Sequence, residues 1–249
     1  MANNKIKRES MADKIVSQIR RDIFTGVYKP GQRLPIEQKL ADEFGTSKGT
    51  LRRAIQTLNQ EGWIETVQGR GNTVCDFRHT VSIDVVPELL IDCPEAVLNP
   101  KFLYFLADLM TFIFEQILLA ASDNAKPEDE PRLLKLMHTQ NEHLTLTELY
   151  DNEARFYGEI LRIGDNFLLQ MSYNLLIKII TGLVESRRIK SFSYPIPLYQ
   201  KINSSLIKAV CSGDREQIKT LMQDYKKYML ETLQRYMSEI SDSSSLRRG

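Results

Sequence analysis

The sequence predicts a mainly α-helical protein with two parts, an N-terminal winged helix-turn-helix and a C-terminal antiparallel bundle of six or seven helices. Apolar residues recur at helical spacing up to Gly62, strand-forming residues follow over 63–74, and helical spacing returns beyond residue 80. We therefore place the winged helix-turn-helix at 1–78 and a linker with a first short helix at 79–98. The helical domain follows at 99–240, and a disordered tail at 241–249.

The first three helices are predicted from apolar spacing and from the residues that begin and end helices. Ser10 to Thr25 carries one apolar face, and Gly26 follows it as a helix stop. The segment "LPIEQKLADEFG" has a proline near its start and a glycine at its end, as a short helix requires. The third helix follows Thr46 or Ser47 as its cap, and "GTS" joins it to the second helix.

The residues after the third helix predict a β-hairpin. In "WIETVQGRGNTVCDF" the β-branched and aromatic residues on either side of "GRGN" favour strands, and the glycines favour the hairpin tip. This hairpin is the wing that completes the helix-turn-helix.

Beyond residue 80 the spacing predicts helices at roughly 84–93, 99–122, 129–150, 152–163, 166–190, 197–211 and 214–240. The segment "FLYFLADLMTFIFEQILLAA", 102–121, is long enough to span a bilayer. Asp108 and Glu115 make insertion costly, so we interpret it as a nearly all-buried central helix of a soluble bundle.

Charge separates the two parts of the chain. Residues 1–78 hold fourteen Lys and Arg against nine Asp and Glu, a net charge of +5, and the remainder has a net charge of −4. A basic first third predicts a polyanionic partner for that part. The three cysteines form no paired motif and suit a reducing cytosol, so a cytoplasmic protein without membrane attachment is expected.

One face of the third helix has the chemistry of a nucleic-acid contact. Lys48, Arg52 and Gln56 lie four residues apart, opposite the apolar stripe, and Gly49 and Arg53 flank them. No acidic residue occurs from Gly45 to Gln60, whereas a solvated helix face usually alternates acids and bases. The hydroxyls at the helix start suit phosphate oxygens, and Arg and Gln suit base edges.

Residues 12–74 resemble the DNA-binding domain of GntR-family bacterial transcription regulators. The matching pattern is "I..G.Y.PG..LP.E..LA..F..S..T.R.A...L...G.I....G.G..V", in order through the domain. The resemblance implies a homodimer that places two recognition helices in successive major grooves of double-stranded DNA at a palindromic operator. Gln38 departs from the pattern, because members often carry a basic residue there. The expected DNA-binding residues are Gln38, Ser47, Lys48, Gly49, Thr50, Arg52, Arg53, Gln56, Arg70 and Gly71.

The helical part resembles, more loosely, the C-terminal domain of the FadR-type branch, through "FYGEILRIGDNFLL" and "NSSLIKAVCSGDREQIKTLMQDY". Many members hold a metal through one Asp and three His. The aligned positions here are Glu153, Tyr157, Asn203 and Tyr225, so no transition metal and no cofactor is expected. With Tyr173, these four residues are the candidate effector pocket. The resemblance makes acyl-CoA or an organic acid possible as the small-molecule effector, and an unliganded packed core stays an alternative.

The expected function is therefore a ligand-responsive transcription regulator, a repressor or an activator, whose helical domain binds the effector and dimerises. Two alternatives are a winged helix used as a protein-interaction module and an enzyme targeted to nucleic acid. The acid-free helix face disfavours the first alternative. No phosphate-binding loop or catalytic triad motif occurs in the helical part, so no enzyme is expected.

Overall fold

A computed structural model describes residues 10–93, 99–141, 143–185 and 196–245 of the 249-residue chain. The chain divides into two compact units, Met1–Ala96 with Thr181–Ser186, and Val97–Ile180 with Arg187–Gly249. The fold class predicted from sequence is confirmed: the first unit holds a helix-turn-helix with a two-stranded wing, and the second is all-helical.

The described residues form eleven α-helices and two strands. In chain order they are α1 (Met11–Phe24), α2 (Glu37–Glu43), α3 (Lys48–Gln60), β1 (Ile64–Val67), β2 (Gly71–Val74), α4 (Phe77–Thr80), α5 (Val86–Asp92), α6 (Pro100–Ser122), α7 (Asp129–Met137), α8 (Leu146–Gly164), α9 (Phe167–Glu185), α10 (Ile196–Ser212) and α11 (Arg215–Ser245).

The core of the first unit forms between α1 and α3. Ile15 and Ile19 of α1 and Leu51 and Leu58 of α3 are each at most 1% exposed and belong to one apolar cluster. Trp63 lies in the same cluster, fully buried, with its ring 5.6 Å from that of Phe77. Burial of each such side chain contributes about 1.5–3 kcal/mol, so this cluster holds α3 in place.

The wing is an antiparallel hairpin with Ile64 opposite Val74 and Val67 opposite Gly71. A third segment, which the sequence did not predict, pairs with β2 through a bridge between Arg33 and Thr73. The Leu34 amide also donates to the Asn72 carbonyl at 2.9 Å. The connection between α1 and α2 therefore anchors the wing from its outer edge.

The first unit continues past residue 78, where the predicted winged domain ends. α5 packs against α1, and Leu89 and Cys93 belong to the core cluster of this unit. A buried guanidinium fixes the contact: Arg20 of α1 donates to Asp92 at 2.8 Å and to Glu61 at 2.9 Å. Burial lowers the pKa of Arg20, but the two carboxylates outweigh this effect and raise the pKa above its ordinary value.

In the second unit α6 packs against α8, α10 and α11, and α7 packs against α8 and α10. Length and composition alone would allow α6 to cross a membrane, and half of its most apolar window is buried inside the protein. The helix is less buried than expected, because Phe105 and Phe112 are 66% and 60% exposed. Asp108, on the same helix, pairs with Lys226 of α11 at 3.0 Å.

Two helix boundaries differ from the prediction. The single helix expected over 129–150 is wrong, because α7 ends at Met137 and α8 begins at Leu146. A capping box explains the restart: the Thr145 hydroxyl accepts from the Glu148 amide, and Glu148 accepts from the Thr145 amide. At the C-terminus α11 extends to Ser245, into the predicted disordered tail, and residues 246–249 lie outside the described residues.

Replacing Arg20 by Ala is expected to lower the free energy of unfolding of the first unit by about 3–5 kcal/mol, because Asp92 would stay buried without its partner. Trp63 is the only tryptophan in the chain and lies in this core, so its fluorescence during urea titration follows the first unit alone.

Lys14→Ala, an exposed change on the same helix, is the matched control. A loss for Arg20→Ala no larger than that of this control would contradict the prediction. Adding Glu61→Met and Asp92→Leu to Arg20→Met should recover most of the loss, because neither a charge nor a polar side chain is then buried without a partner.

Candidate nucleic-acid interface and effector site

The turn between α2 and α3 is closed by backbone hydrogen bonds and by one side-chain cap. The Thr46 amide donates to the Ala41 carbonyl at 2.9 Å, and Gly45 adopts the left-handed conformation, with φ of 59°, that this turn requires. Ser47 caps α3 by accepting a hydrogen bond from the Thr50 amide at 3.2 Å. These contacts fix the residue at which α3 begins and the orientation of α3 relative to α2.

The residues predicted to contact DNA lie on the exposed surface of the first unit. Only Thr50 is half-buried, and its hydroxyl lies 3.1 Å from that of Ser47. The exposed members are Gln38, Ser47, Lys48, Gly49, Arg52, Arg53, Gln56, Arg70 and Gly71. The opposite side of α3, formed by Leu51, Ala54, Ile55 and Leu58, is at most 5% exposed. The helix therefore has one face for the core and one for an external partner.

Three cations of this surface have no ion pair with any residue that the structure describes: Lys48, Arg53 and Arg70. Arg52 differs, because its Nε donates to Glu37 Oε2 of α2 at 2.9 Å. Gln38, where the sequence departs from the usual basic residue, donates instead to Asp42 at 2.9 Å. Uncompensated cations on an acid-free helix favour binding of a polyanion.

A hydrogen bond joins the wing to the end of α3. The Asn59 side-chain oxygen accepts from the Thr66 amide at 3.0 Å, and Thr66 Oγ1 donates to Asn72 Oδ1 at 2.7 Å. Arg70 lies in the tight turn between the strands, where its amide donates to the Val67 carbonyl at 2.9 Å. The guanidinium of Arg70 is thus carried on an exposed tip whose base is fixed to the recognition helix.

A family model described as "Bacterial regulatory proteins, gntR family" matches residues 11–74, from the start of α1 to the end of the wing. Residues 11–74 therefore form a helix-turn-helix domain of the GntR family of bacterial regulatory proteins. The family resemblance found from the motif pattern is therefore confirmed. The helices α2 and α3 with the turn between them are the GntR-family helix-turn-helix, and the hairpin is its wing.

Relatives of this chain are named as transcriptional regulators. The HTH-type transcriptional regulator Mce2R of Mycobacterium tuberculosis is 38% identical over 90 residues, 36% of this chain and 38% of that protein. An uncharacterized HTH-type transcriptional regulator of the same species, Rv0494, is 31% identical over 166 residues, 67% of this chain and 66% of that protein. The chain thus matches less than two thirds of the length of each.

A solved structure supports the fold over nearly the whole chain. Lar, which controls the expression of the Listeria monocytogenes agr system, superposes with a TM-score of 0.51 at 16% identity. The match covers 92% of this chain and 99% of that one. At this level of identity the likeness shows the fold alone.

The residues predicted as an effector pocket meet inside the second unit. Tyr157 of α8 stacks on Phe114 of α6, with ring centroids 4.6 Å apart, and lies 5.7 Å from the ring of Tyr173 of α9. Tyr157, Tyr173, Asn203 and Tyr225 are all at most 7% exposed. The Tyr173 hydroxyl is buried and has no hydrogen-bond partner among the described residues, which is costly for a polar group.

Glu153 is the charged member of this cluster. Burial raises the pKa of its carboxyl to about 7, and the structure places no cation of the described residues against it. Burial is also the largest cause of the raised pKa values of Tyr157, Tyr173 and Tyr199, and the Glu153 charge adds to each. A partly protonated carboxyl among tyrosines is therefore the chemistry that this site presents near neutral pH.

Asn203 has a different partner from the one its alignment position suggests, because its amide donates to the Tyr199 carbonyl of the preceding turn at 3.0 Å. Sequence reasoning missed Tyr199, which is 7% exposed and close enough to Glu153 for its pKa to respond. Its spacing four residues before Asn203 on α10 was the signal that could have found it. Among the described residues no three His, Cys, Asp or Glu side chains group as metal ligands do.

Gly49→Ala should separate folding from DNA binding. A β-carbon added there would meet only Ser47 Oγ at 3.9 Å, so the fold has room for it, and alanine favours a helix by up to about 1 kcal/mol. We expect unchanged or higher stability by Trp63 fluorescence, and an affinity for duplex DNA at least about tenfold lower, because the methyl group would separate α3 from the phosphates.

The matched control is Gly158→Ala, a helical glycine of α8 whose added β-carbon would also meet open space. It should leave DNA affinity unchanged and stabilise its own helix by up to about 1 kcal/mol, because alanine is the better helix former. Unchanged affinity for Gly49→Ala would show that the start of α3 does not approach DNA closely.

Glu153 should make the second unit less stable as pH rises. Its folded pKa of about 7 lies above the ordinary 4.5, so the folded state binds more protons across this window and loses stability from pH 4.5 to 7. Glu153→Gln removes this loss and should gain about 1–3 kcal/mol at pH 8 relative to pH 5. Thermal unfolding followed by far-UV circular dichroism at both pH values measures the difference.

Glu216→Gln, an exposed change on α11, should show no such pH-dependent gain. A gain for Glu153→Gln that is equal at pH 5 and pH 8 would mean that the carboxyl does not titrate in this window.

Proposed function

We propose that this chain is a DNA-binding transcription regulator that responds to a small molecule. The observation that carries the proposal is the exposed face of α3, on which Lys48, Arg52, Arg53 and Gln56 occur without a single acid. Its apolar opposite face is buried, so the cations are presented on a rigid helix. Arg and Gln at this place can donate to base edges in a major groove, and the Ser47 end of the helix suits a phosphate.

A homodimer on a palindromic operator is part of the proposal. Recognition helices related by a two-fold axis read half-sites about one DNA turn apart. The exposed Phe105 and Phe112 of α6 support self-association, because large apolar side chains on one helix favour burial against a partner. The dimerisation function is therefore assigned to the helical unit, as in the FadR-type branch that this unit resembles.

The effector site of the proposal is the cluster of Glu153, Tyr157, Tyr173, Asn203 and Tyr225. It is supported by the buried Tyr173 hydroxyl, which has no protein partner among the described residues, and by the Glu153 carboxyl, whose pKa is raised to about 7 by burial. Acyl-CoA and organic acids stay possible ligand classes. An anionic group beside Glu153 would favour the protonated carboxyl, which a pKa of about 7 makes accessible near neutral pH. A transition metal is not proposed, because tyrosine and asparagine are poor ligands for it.

Two related predictions complete the proposal. The chain is expected to have no catalytic activity, and the relatives reported above are named as regulators rather than as enzymes. A cytoplasmic location without membrane attachment is expected. The use of the winged helix as a protein-interaction module stays the alternative, and the salt dependence of DNA binding separates it from the present proposal.

The full-length protein should select a palindromic sequence from a pool of random duplex DNA. Its affinity for the selected sequence should fall steeply with salt, with a slope of log K against log salt of about −0.9 for each phosphate contact. Arg52→Ala should reduce discrimination at one base pair of each half-site by about 1–3 kcal/mol, as loss of a bidentate base contact does.

Lys135→Ala removes an exposed cation from α7 of the helical unit and should leave base preference unchanged. Failure of the wild-type protein to enrich any sequence, or a salt-independent interaction, would contradict the proposed function. An unaltered base preference in Arg52→Ala would contradict only the role given to Arg52.

A further inference from the structure

The recognition helix carries one cation that is already paired with an acid. Arg52 donates from Nε to Glu37 Oε2 at 2.9 Å, and the arginine side chain is still 67% exposed. Glu37 is the first residue of α2, fifteen positions earlier in the sequence, and is half-buried. An acid beside a phosphate-facing surface lowers attraction to any DNA, so its presence needs a different explanation.

The geometry of the pair supplies that explanation. Glu37 engages Nε alone, and neither terminal nitrogen of Arg52 donates to any residue that the structure describes. The terminal edge of a guanidinium is the edge that can donate two parallel hydrogen bonds to guanine O6 and N7. Held from its Nε side, the planar group keeps this edge directed away from α2 and loses less rotamer freedom when it binds.

The other cations of the surface lack such an arrangement. Lys48, Arg53 and Arg70 have no acidic partner among the described residues and are free to follow phosphates of any sequence. Arg52 alone of these four cations is restrained. A restrained guanidinium gains binding free energy from a base at one position and gains little from a phosphate at another position.

We propose that Glu37 is a positioning residue that determines sequence selectivity, by holding Arg52 through Nε so that its terminal nitrogens read a base. This inference rests on the proposed DNA-binding function and deepens it. Glu37 itself contacts no base. Its negative charge also opposes phosphate contacts by Arg52, so it raises discrimination and lowers affinity for unrelated DNA.

Selection from random duplex DNA, followed by affinity measurements on the selected and a scrambled duplex, tests the proposal with full-length Glu37→Ala and Glu37→Gln. Glu37→Ala should bind scrambled DNA more tightly and show a ratio of selected to scrambled affinity about tenfold lower than wild type. Base preference should weaken at the position that Arg52→Ala affects and persist elsewhere. Glu37→Gln, which can still accept from Nε, should fall between wild type and Glu37→Ala.

The matched control is Glu43→Ala, which removes an exposed acid from the same helix and breaks only a 3.8 Å pair with Lys39. It should leave the base preference unchanged. In an Arg52→Ala background, Glu37→Ala should produce no further loss of selectivity, because the group to be positioned is gone. A purely structural role for Glu37 would lower the Trp63 unfolding midpoint and weaken binding to both duplexes equally.

An unchanged affinity ratio in Glu37→Ala, or a loss spread over all positions, would overturn the inference while leaving the proposed function in place. If Glu37→Ala does not fold, Glu37→Gln decides, and an unchanged ratio in that variant overturns the inference. Failure of the wild-type protein to select any sequence would overturn the proposed function and this inference together.

Discussion

The packing of α3 against α1 is the constraint on which the first unit depends. Leu51, Ala54 and Leu58 are completely buried, so the helix has no rotational freedom about its own axis. A rotation by one residue would expose this stripe and turn Arg52 towards the core. The cost of exposing three apolar side chains, several kcal/mol, therefore fixes which side chains face outward. Which residues form the exposed basic surface is thus a consequence of how the core is filled.

Contacts at both ends of α3 also hold the two ends of the helix in place. Ser47 caps the start of the helix, and Glu61, just past its last residue, receives the buried guanidinium of Arg20. The same guanidinium binds Asp92 at the end of α5, so the C-terminal ends of α3 and α5 share one charged group. A displacement of α5 would leave a buried charge without its partner, which is strongly unfavourable.

The sequence was sufficient wherever a local pattern determined the structure. Apolar spacing placed α1 and α3, and the glycines around Arg70 placed the hairpin tip, because each depends on residues within one helix or one turn. The bridge between Arg33 and β2 was not predicted, since a single residue pair produces no repeating pattern in the sequence. The restart of α8 was a missed local signal, because "TLTE" is a capping box that could have been recognised.

The two candidate sites differed in how much the sequence could indicate. The cations of α3 were found because they share one helix, whereas the hydrogen bond of Arg52 to Glu37 joins residues of different helices and leaves no local sequence pattern. Tyr157 was placed in the site by family resemblance and Tyr173 was added as a further candidate, and the structure does bring their rings together. What resemblance could not give is the electrostatics, because the pKa of Glu153 depends on burial by elements far apart in sequence.

Glu37 and Glu153 illustrate two opposite uses of a carboxylate in one chain. Glu37 is half-buried and bonded to a guanidinium, so its charge is compensated and its effect is geometric: it orients a neighbour. Glu153 lies among aromatic rings without a compensating cation in the described residues, so its charge is what the surroundings oppose. A ligand that changes the protonation of Glu153 would change the stability of the helical unit, because the unfavourable burial of the carboxylate charge would change with it. The proposed effector binding in the helical unit would therefore be linked to protonation of Glu153, whereas the proposed DNA selectivity would depend on the orientation of Arg52.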